Sequence, residues 1–166
     1  MFELKPLSPE AIPRALEKAE RYRLLNEPAE AESICHDVLR MQPDNQRALV
    51  MLLLALSEEF EEGIPDAVTR AQETLGRLQD GYERAYYSGI VCERRAKARL
   101  RQGRPGSGYT VYDLLREAMA FYEKAEALRP AGNDDALLRW NACVRILERH
   151  PHLGPAPVER FEPSLE

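Results

Sequence analysis

The sequence predicts an all-helical protein. β-Branched residues are sparse, whereas Ala, Leu, Glu and Arg dominate the 166 residues and recur at spacings of three and four. No hydrophobic segment alternates with the period of two that a half-buried strand shows. Pro and Gly interrupt the helical pattern at intervals. We therefore expect about seven helices in one domain over residues 1–150 and a Pro-rich tail over 151–166.

Two helices open the chain. The first is predicted over residues 8–25 and starts either at Ser8, as a cap, or at Pro13. The second lies between Pro28 and Pro43, and its apolar residues keep helical spacing. Because only about three residues join them, we expect the two helices to be antiparallel.

The next two helices flank a turn at Gly63. The third is predicted over residues 46–61 and is apolar all round through its middle, which is typical of a helix packed on several sides. The fourth begins near Ala67 and is closed by Asp80 and Gly81. We therefore expect the third helix to be the central one.

Three longer helices complete the predicted domain. The fifth covers residues 82–102 and precedes a Gly-rich stretch, 103–108, that we expect to be a mobile loop. Thr110 and Asp113 have the spacing of a capping box for the sixth helix, which reaches Leu128.

The seventh helix is predicted to begin at a cap formed by Asn133 or Asp134. Its apolar face is formed by Leu137, Trp140, Val144 and Leu147. Four prolines follow within residues 151–166, so this tail is expected to be disordered or extended.

One spacing of small, aromatic and Pro positions occurs twice in the chain. The two copies are Ala31-x3-Cys35-x2-Val38-x4-Pro43 and Ala118-x3-Tyr122-x2-Ala125-x4-Pro130. The second copy, EAMAFYEKAEALRP, resembles the second helix of a tetratricopeptide repeat (TPR). In the first copy Cys35 replaces the aromatic residue, and the helix before it supplies Ala19 and Tyr22 at the spacing of that family.

The resemblance to TPR proteins implies three antiparallel helix pairs, stacked as a short right-handed α-solenoid, with the seventh helix as a cap. Pro43 and Pro130 are 87 residues apart, about 19 more than two 34-residue repeats would give. Two extra residues fit the turn at Gly63, and the others fit the segment 100–115. The middle repeat lacks both the aromatic residue and the closing Pro.

In TPR proteins the first helix of each pair lines a concave face that holds a peptide or a partner's surface. The residues that this register places at the centre of the face, called here the predicted groove, are Arg47, Val50, Leu54, Tyr86, Ile90 and Arg94. Core packing is an equally good interpretation of Val50 and Leu54. Chaperone-binding TPR proteins hold a terminal carboxylate with Lys and Asn at such positions, and these six residues include neither.

We predict no catalytic, cofactor-binding or metal-binding residues. His36, His150 and His152 lack a nearby set of further ligands, although Cys143 could in principle join the last two. The stretch 103–108 lacks the Gly-Lys-Ser/Thr end of a phosphate-binding loop. The densest positive run comprises Arg94, Arg95, Lys97, Arg99, Arg101 and Arg104, which are either solubilising charges or an interaction patch flanked by tyrosines.

Charge and hydropathy reduce the number of possible functions further. The net charge of -5 gives no overall attraction to nucleic acid or anionic membrane, and the longest apolar run has nine residues, too few to span a bilayer. The chain has three cysteines and no CxxC pair, which indicates a protein of the reducing cytoplasm. We therefore expect a non-enzymatic cytoplasmic module that binds a protein or peptide partner. The alternatives are a self-association module that forms homo-oligomers and, less favoured, a small enzyme or nucleic-acid binder.

Overall fold

The computed structural model describes residues 1–158 of the chain. Within them lie seven α-helices, two 3-10 helices and no β-strand, so the all-helical prediction is confirmed. The α-helices are α1 (Ile12–Leu24), α2 (Pro28–Met41), α3 (Gln46–Glu58), α4 (Ala67–Gly76), α5 (Gly81–Gln102), α6 (Gly108–Leu128) and α7 (Asp135–Arg149). The 3-10 helices are Pro9–Ala11, before α1, and Phe60–Glu62, between α3 and α4.

The end of α3 differs from its prediction. The α-helix stops at Glu58, and the predicted last turn is the 3-10 helix that follows it. Gly63 ends that turn with a left-handed backbone (φ 66°), a conformation that glycine adopts without steric cost. The tighter turn carries Phe60 back into the core, where it is buried.

The predicted capping box of α6 is wrong. The helix begins at Gly108 and its N-cap is Ser107, so Thr110 already lies inside the first turn. Gly106, at φ 78°, makes the reversal that ends the loop and lets the helix start earlier than its apolar pattern shows. At the start of α7 the N-cap residue is Asp134, whose side chain makes no capping hydrogen bond, whereas the Asn133 side chain accepts one from the Asp135 amide at 3.0 Å.

The hydrophobic core consists of two clusters that meet on α5. The first cluster is built from α1 to α4, together with Val91 and Ala98 of α5. The second is built from α5, α6 and α7, and Leu54 of α3 packs against it. Helix α3 is the most apolar element, with eight of its residues buried, as predicted for a central helix.

The positions of the repeated spacing lie at the centres of these clusters. Their buried members, each 0% exposed, are Ala31, Cys35, Val38, Ala118, Tyr122 and Ala125. The Tyr122 ring lies directly against the backbone of α5 at Gly89, where a Cβ atom would fall 2.7 and 2.9 Å from two of its carbons. Only glycine at position 89 therefore allows this contact between α5 and α6.

Each helix contacts the next along the chain, and α3 also contacts both α1 and α5. After α7 the chain has no regular structure up to residue 158, but Leu153 is buried in the second cluster. That contact fixes the start of the predicted tail, whose last eight residues lie outside the described part of the chain. No helix within residues 1–158 combines the length and hydropathy of a membrane span.

Candidate interaction site

The six residues of the predicted groove have different surroundings. Arg47 is exposed and lies 3.9 Å from Glu20, whereas Val50, Leu54, Tyr86 and Arg94 are half-buried. The remaining residue, Ile90, is 2% exposed and belongs to the second core cluster. It is therefore part of the core and is not accessible to a partner.

Arg94 is held by the end of α3. Its guanidinium donates hydrogen bonds to the Leu54 carbonyl oxygen at 3.0 Å and to the Ser57 hydroxyl, and lies 3.7 Å from Glu58. Both hydrogen bonds come from one guanidinium nitrogen, Nη1. Arg94 therefore joins α5 to the last turns of α3.

A cleft adjoins Arg94 on the side of the α5 C-terminus. This central cleft has a volume of about 320 Å³. It is lined by Asn26, Ser57, Glu58, Glu61, Arg94, Lys97, Arg101 and Arg139. These residues come from the α1–α2 turn, α3, the following 3-10 helix, α5 and α7. Arg94, Lys97 and Arg101 share one face of α5 because they are three and four residues apart.

The charges of the central cleft are paired, with a surplus of cations. Glu58 pairs with both Arg23 and Arg94, and Glu61 pairs with Arg101. The third carboxylate, Glu93, pairs with Lys97 and lies 3.4 Å from Arg139. Five cations thus surround three carboxylates in a chain whose net charge is -5. The surplus gives this surface a local attraction for acidic groups.

Glu93 is the most deeply buried of these charges, at 1% exposed. In addition to its two cations it accepts a hydrogen bond of 2.6 Å from the Tyr122 hydroxyl. Burial, and next the charge of Glu93, raise the pKa of Tyr122, so this phenol stays protonated and remains a donor. Lys97 and Arg139 are 34% and 38% exposed, so they neutralise Glu93 while still reaching the cleft.

Three tyrosines continue the face of α5 toward its N-terminus. The Tyr82 and Tyr86 rings are stacked with centroids 5.8 Å apart, and the Tyr87 ring meets Tyr86 edge-on at 5.1 Å. Tyr86 also lies beside Arg139, which connects the tyrosines to the central cleft. The result is a half-buried surface of aromatic rings and guanidinium groups, a combination that is enriched in binding hot spots.

The dense positive run of the sequence is divided between two surfaces. Arg94, Lys97 and Arg101 line the central cleft, whereas Arg95, Arg99 and Arg104 line a different cavity. The sequence analysis identified the run but not its division, since that depends on where α3, α4 and α7 pack. It missed Asn26 and Arg139 because neither belongs to a motif.

A second polar cluster joins α2, α4 and the end of α3. Arg70 of α4 pairs with Glu32, which also lies 3.1 Å from His36. Burial alone would raise the pKa of Glu32, but hydrogen bonds and charges from Arg70 and His36 hold it below its usual value. Glu59 is 2% exposed, and burial together with the neighbouring Glu32 raises its pKa to about 7.

The folded state should lose stability as the pH rises because of Glu59. The folded chain keeps the proton on this carboxyl up to about pH 7, whereas an unperturbed Glu releases it near 4.5, so stability falls across that window and levels off above it. Glu59→Gln cannot ionise and should be more stable than the natural chain at pH 8, by about 3 kcal/mol, with little difference at pH 4. Urea denaturation of both proteins at the two pH values measures this, and an equal difference at both would contradict it.

The three cysteines are buried and free. Burial raises the pKa of Cys35, Cys92 and Cys143 to about 12, which keeps each as an unreactive thiol at neutral pH. Within residues 1–158 no three His, Cys, Asp or Glu side chains are grouped as metal ligands.

Comparison of the chain with protein-family models, with curated proteins and with solved structures found no match.

Proposed function

We propose that the chain is a TPR-like helical repeat protein whose function is non-enzymatic binding of a partner protein or peptide. The binding surface comprises the central cleft and the adjoining Tyr86. Its chemistry is that of a recognition surface: exposed or half-exposed cations, half-buried aromatic rings and no isolated acid or nucleophile. Peptide carboxylates are the natural complement of the surplus cations.

The observation that carries the proposal is that the odd-numbered helices meet through their charged side chains. Arg23 of α1 pairs with Glu58 of α3, and Glu58 also pairs with Arg94 of α5. Arg139 of α7 in turn reaches Glu93 of α5. In a stack of helix pairs the first helices lie side by side and form the inner surface. The ion pairs between α1, α3, α5 and α7 are those that such a stack would produce.

The packing of the repeated spacing supports the same proposal. In each copy the small residue that begins the spacing, Ala31 or Ala118, is fully buried and permits close approach of the neighbouring helix. Gly89 of α5 has the same relation to the Tyr122 ring of α6. Contacts of α3 with α1 and α5 add the neighbour-to-neighbour pattern of a repeat array.

Tyr86→Ala and Arg101→Glu should each weaken partner binding by about 2 kcal/mol if they are hot spots. Arg101 is preferable to Arg94 as a target, because it is 68% exposed and its replacement leaves the contact between α3 and α5 intact. Affinity capture from the native host with mass spectrometry would identify the partner, and calorimetry with that partner would measure the loss.

Arg145→Glu provides the matched control, since Arg145 is exposed on α7 and outside the central cleft. It should bind as the natural chain does. If Tyr86→Ala and Arg101→Glu keep full affinity while their circular dichroism is unchanged, the central cleft is not the binding surface.

Self-association is the second candidate, and exposed leucines favour it. Leu24 and Leu25 at the end of α1 are 82% and 63% exposed, and Leu138 of α7 is 61% exposed. Exposed apolar side chains at the end helices of an array could join copies of the chain. Light scattering at micromolar concentrations tests self-association. A monomeric chain at these concentrations would show that the exposed leucines do not join copies of the chain.

A further inference from the structure

We infer that the chain has a second docking surface, away from the central cleft, for an acidic peptide segment that contains a large apolar side chain. The surface is a cavity of about 410 Å³ between α5, α4 and the 3-10 helix that follows α3. Its lining, called here the arginine cavity, comprises Phe60, Val68, Arg95, Ala98, Arg99, Gln102 and Arg104.

The arginine cavity and the central cleft lie on different sides of α5. Arg95 and Arg99 are one helical turn apart and share a face. At 100° per residue, the centre of that face is roughly 150° around the helix from the face of Arg94, Lys97 and Arg101. A ligand in the arginine cavity therefore contacts a surface separate from the one proposed above for the partner.

The charges of the arginine cavity differ from those of the central cleft. Each cation of the central cleft has a carboxylate partner, which lies on another element or, for Lys97, one turn earlier on α5 itself. In the described part of the chain, by contrast, no carboxylate forms an ion pair with Arg95, Arg99 or Arg104, and none lines their cavity. Three guanidinium groups around one cavity repel one another, and an acidic ligand would remove that repulsion.

The C-terminal dipole of α5 accounts for part of this arrangement. Arg99 lies in the last turn of the helix, where a cation interacts favourably with the helix dipole. The dipole does not explain Arg95, which is further inside the helix, or why these side chains surround a cavity. Gly103, at φ 60°, ends the helix and sends the chain toward Arg104, so the third cation comes from the loop.

The cavity also has an apolar floor. Phe60 and Ala98 are 7% and 5% exposed and Val68 is half-buried, so they leave a small apolar patch as the floor between the arginines, beside the Gln102 side chain. An inorganic anion would leave that floor unused. A peptide segment with an apolar side chain between acidic residues fits both parts, because Arg binds carboxylates in bidentate geometry and the floor receives the apolar group.

A random dodecapeptide phage library, selected on the immobilised full chain, provides the test. We expect enriched sequences with at least two Asp or Glu residues beside one large apolar residue. A synthetic fluorescent copy of an enriched peptide should bind in an anisotropy titration, and Arg95→Glu with Arg99→Glu should weaken it at least tenfold. The matched control is Arg116→Glu with Arg145→Glu, which makes the same charge change at exposed positions outside this cavity and should stay within twofold.

Several outcomes would overturn the inference. Enriched peptide sequences without acidic residues would contradict it. An equal loss of peptide affinity in the control variant would also contradict it, because it would indicate non-specific electrostatic attraction. Unchanged affinity after replacement of the peptide's apolar residue by Ser would show that the apolar floor of the cavity does not contact the peptide. Displacement by a single-stranded oligonucleotide at equal concentration would point to nucleic acid instead. Loss of binding in Arg101→Glu but not in the Arg95 and Arg99 variant would assign the peptide to the central cleft.

Discussion

Gly89→Ala is expected to lower the free energy of unfolding by about 2–3 kcal/mol, although alanine is the better helix former by about 1 kcal/mol. The added methyl group would overlap the Tyr122 ring, which is fully buried. The ring cannot easily move aside, because its hydroxyl donates to Glu93 at 2.6 Å. Urea denaturation followed by circular dichroism measures the change.

Gly76→Ala is the control for this substitution. Gly76 ends α4, and a Cβ atom there would have no neighbour within 4 Å, so the variant should be as stable as the natural chain or slightly more so. In a Tyr122→Leu background the Gly89→Ala substitution should cost much less, because the ring is gone. If Gly89→Ala costs the same in both backgrounds, the overlap with Tyr122 is not its cause.

Glu93→Leu should lower the free energy of unfolding by about 2–4 kcal/mol. The substitution leaves the buried Tyr122 hydroxyl without its acceptor and removes the carboxylate that holds Lys97 and Arg139. Both cations can still reach water, so the cost stays below that of a charge trapped without a partner. Chemical denaturation of the variant at neutral pH provides the measurement.

Single replacements of the partners separate the contributions to this effect. Tyr122→Phe removes one neutral donor and should cost about 1–2 kcal/mol. Lys97→Ala removes a partly exposed cation and should cost less than about 1 kcal/mol. Glu93→Leu should have little further effect on stability in a Tyr122→Phe background if the hydroxyl is its main cause. A Glu93→Leu variant as stable as the natural chain would show that Glu93 does not stabilise the fold and acts only on the charge of the central cleft.

Much of the fold could be predicted from local sequence. Helical periodicity and Pro or Gly interruptions gave the number of helices and most of their bounds, because these signals act within a few residues. The errors lie where a turn competes with the helix pattern. Thr110 and Asp113 have the spacing of a capping box, but the preceding glycine turn at Gly106 places the start of α6 before them.

The candidate site could be predicted only in part, because its residues come from distant segments. Helical spacing placed Tyr86, Ile90 and Arg94 on one face of α5, but burial of Ile90 depends on how closely the next helices pack. The role of Glu93 depends on α6 and α7, which supply Tyr122 and Arg139. A sequence pattern cannot show that a carboxylate in a charged helix is buried.

The division of the core into two clusters that meet on α5 has a consequence for local opening. Fraying of α1 exposes part of the first cluster, and release of α7 exposes part of the second, each without disturbing the other. Loss of α5 exposes both clusters at once and is equivalent to unfolding of the whole domain. We therefore expect amide protons in the middle of α5 to exchange only through global unfolding, and those of the outer helices to exchange through smaller fluctuations. The helix that carries both proposed binding surfaces should thus also be the one that opens least.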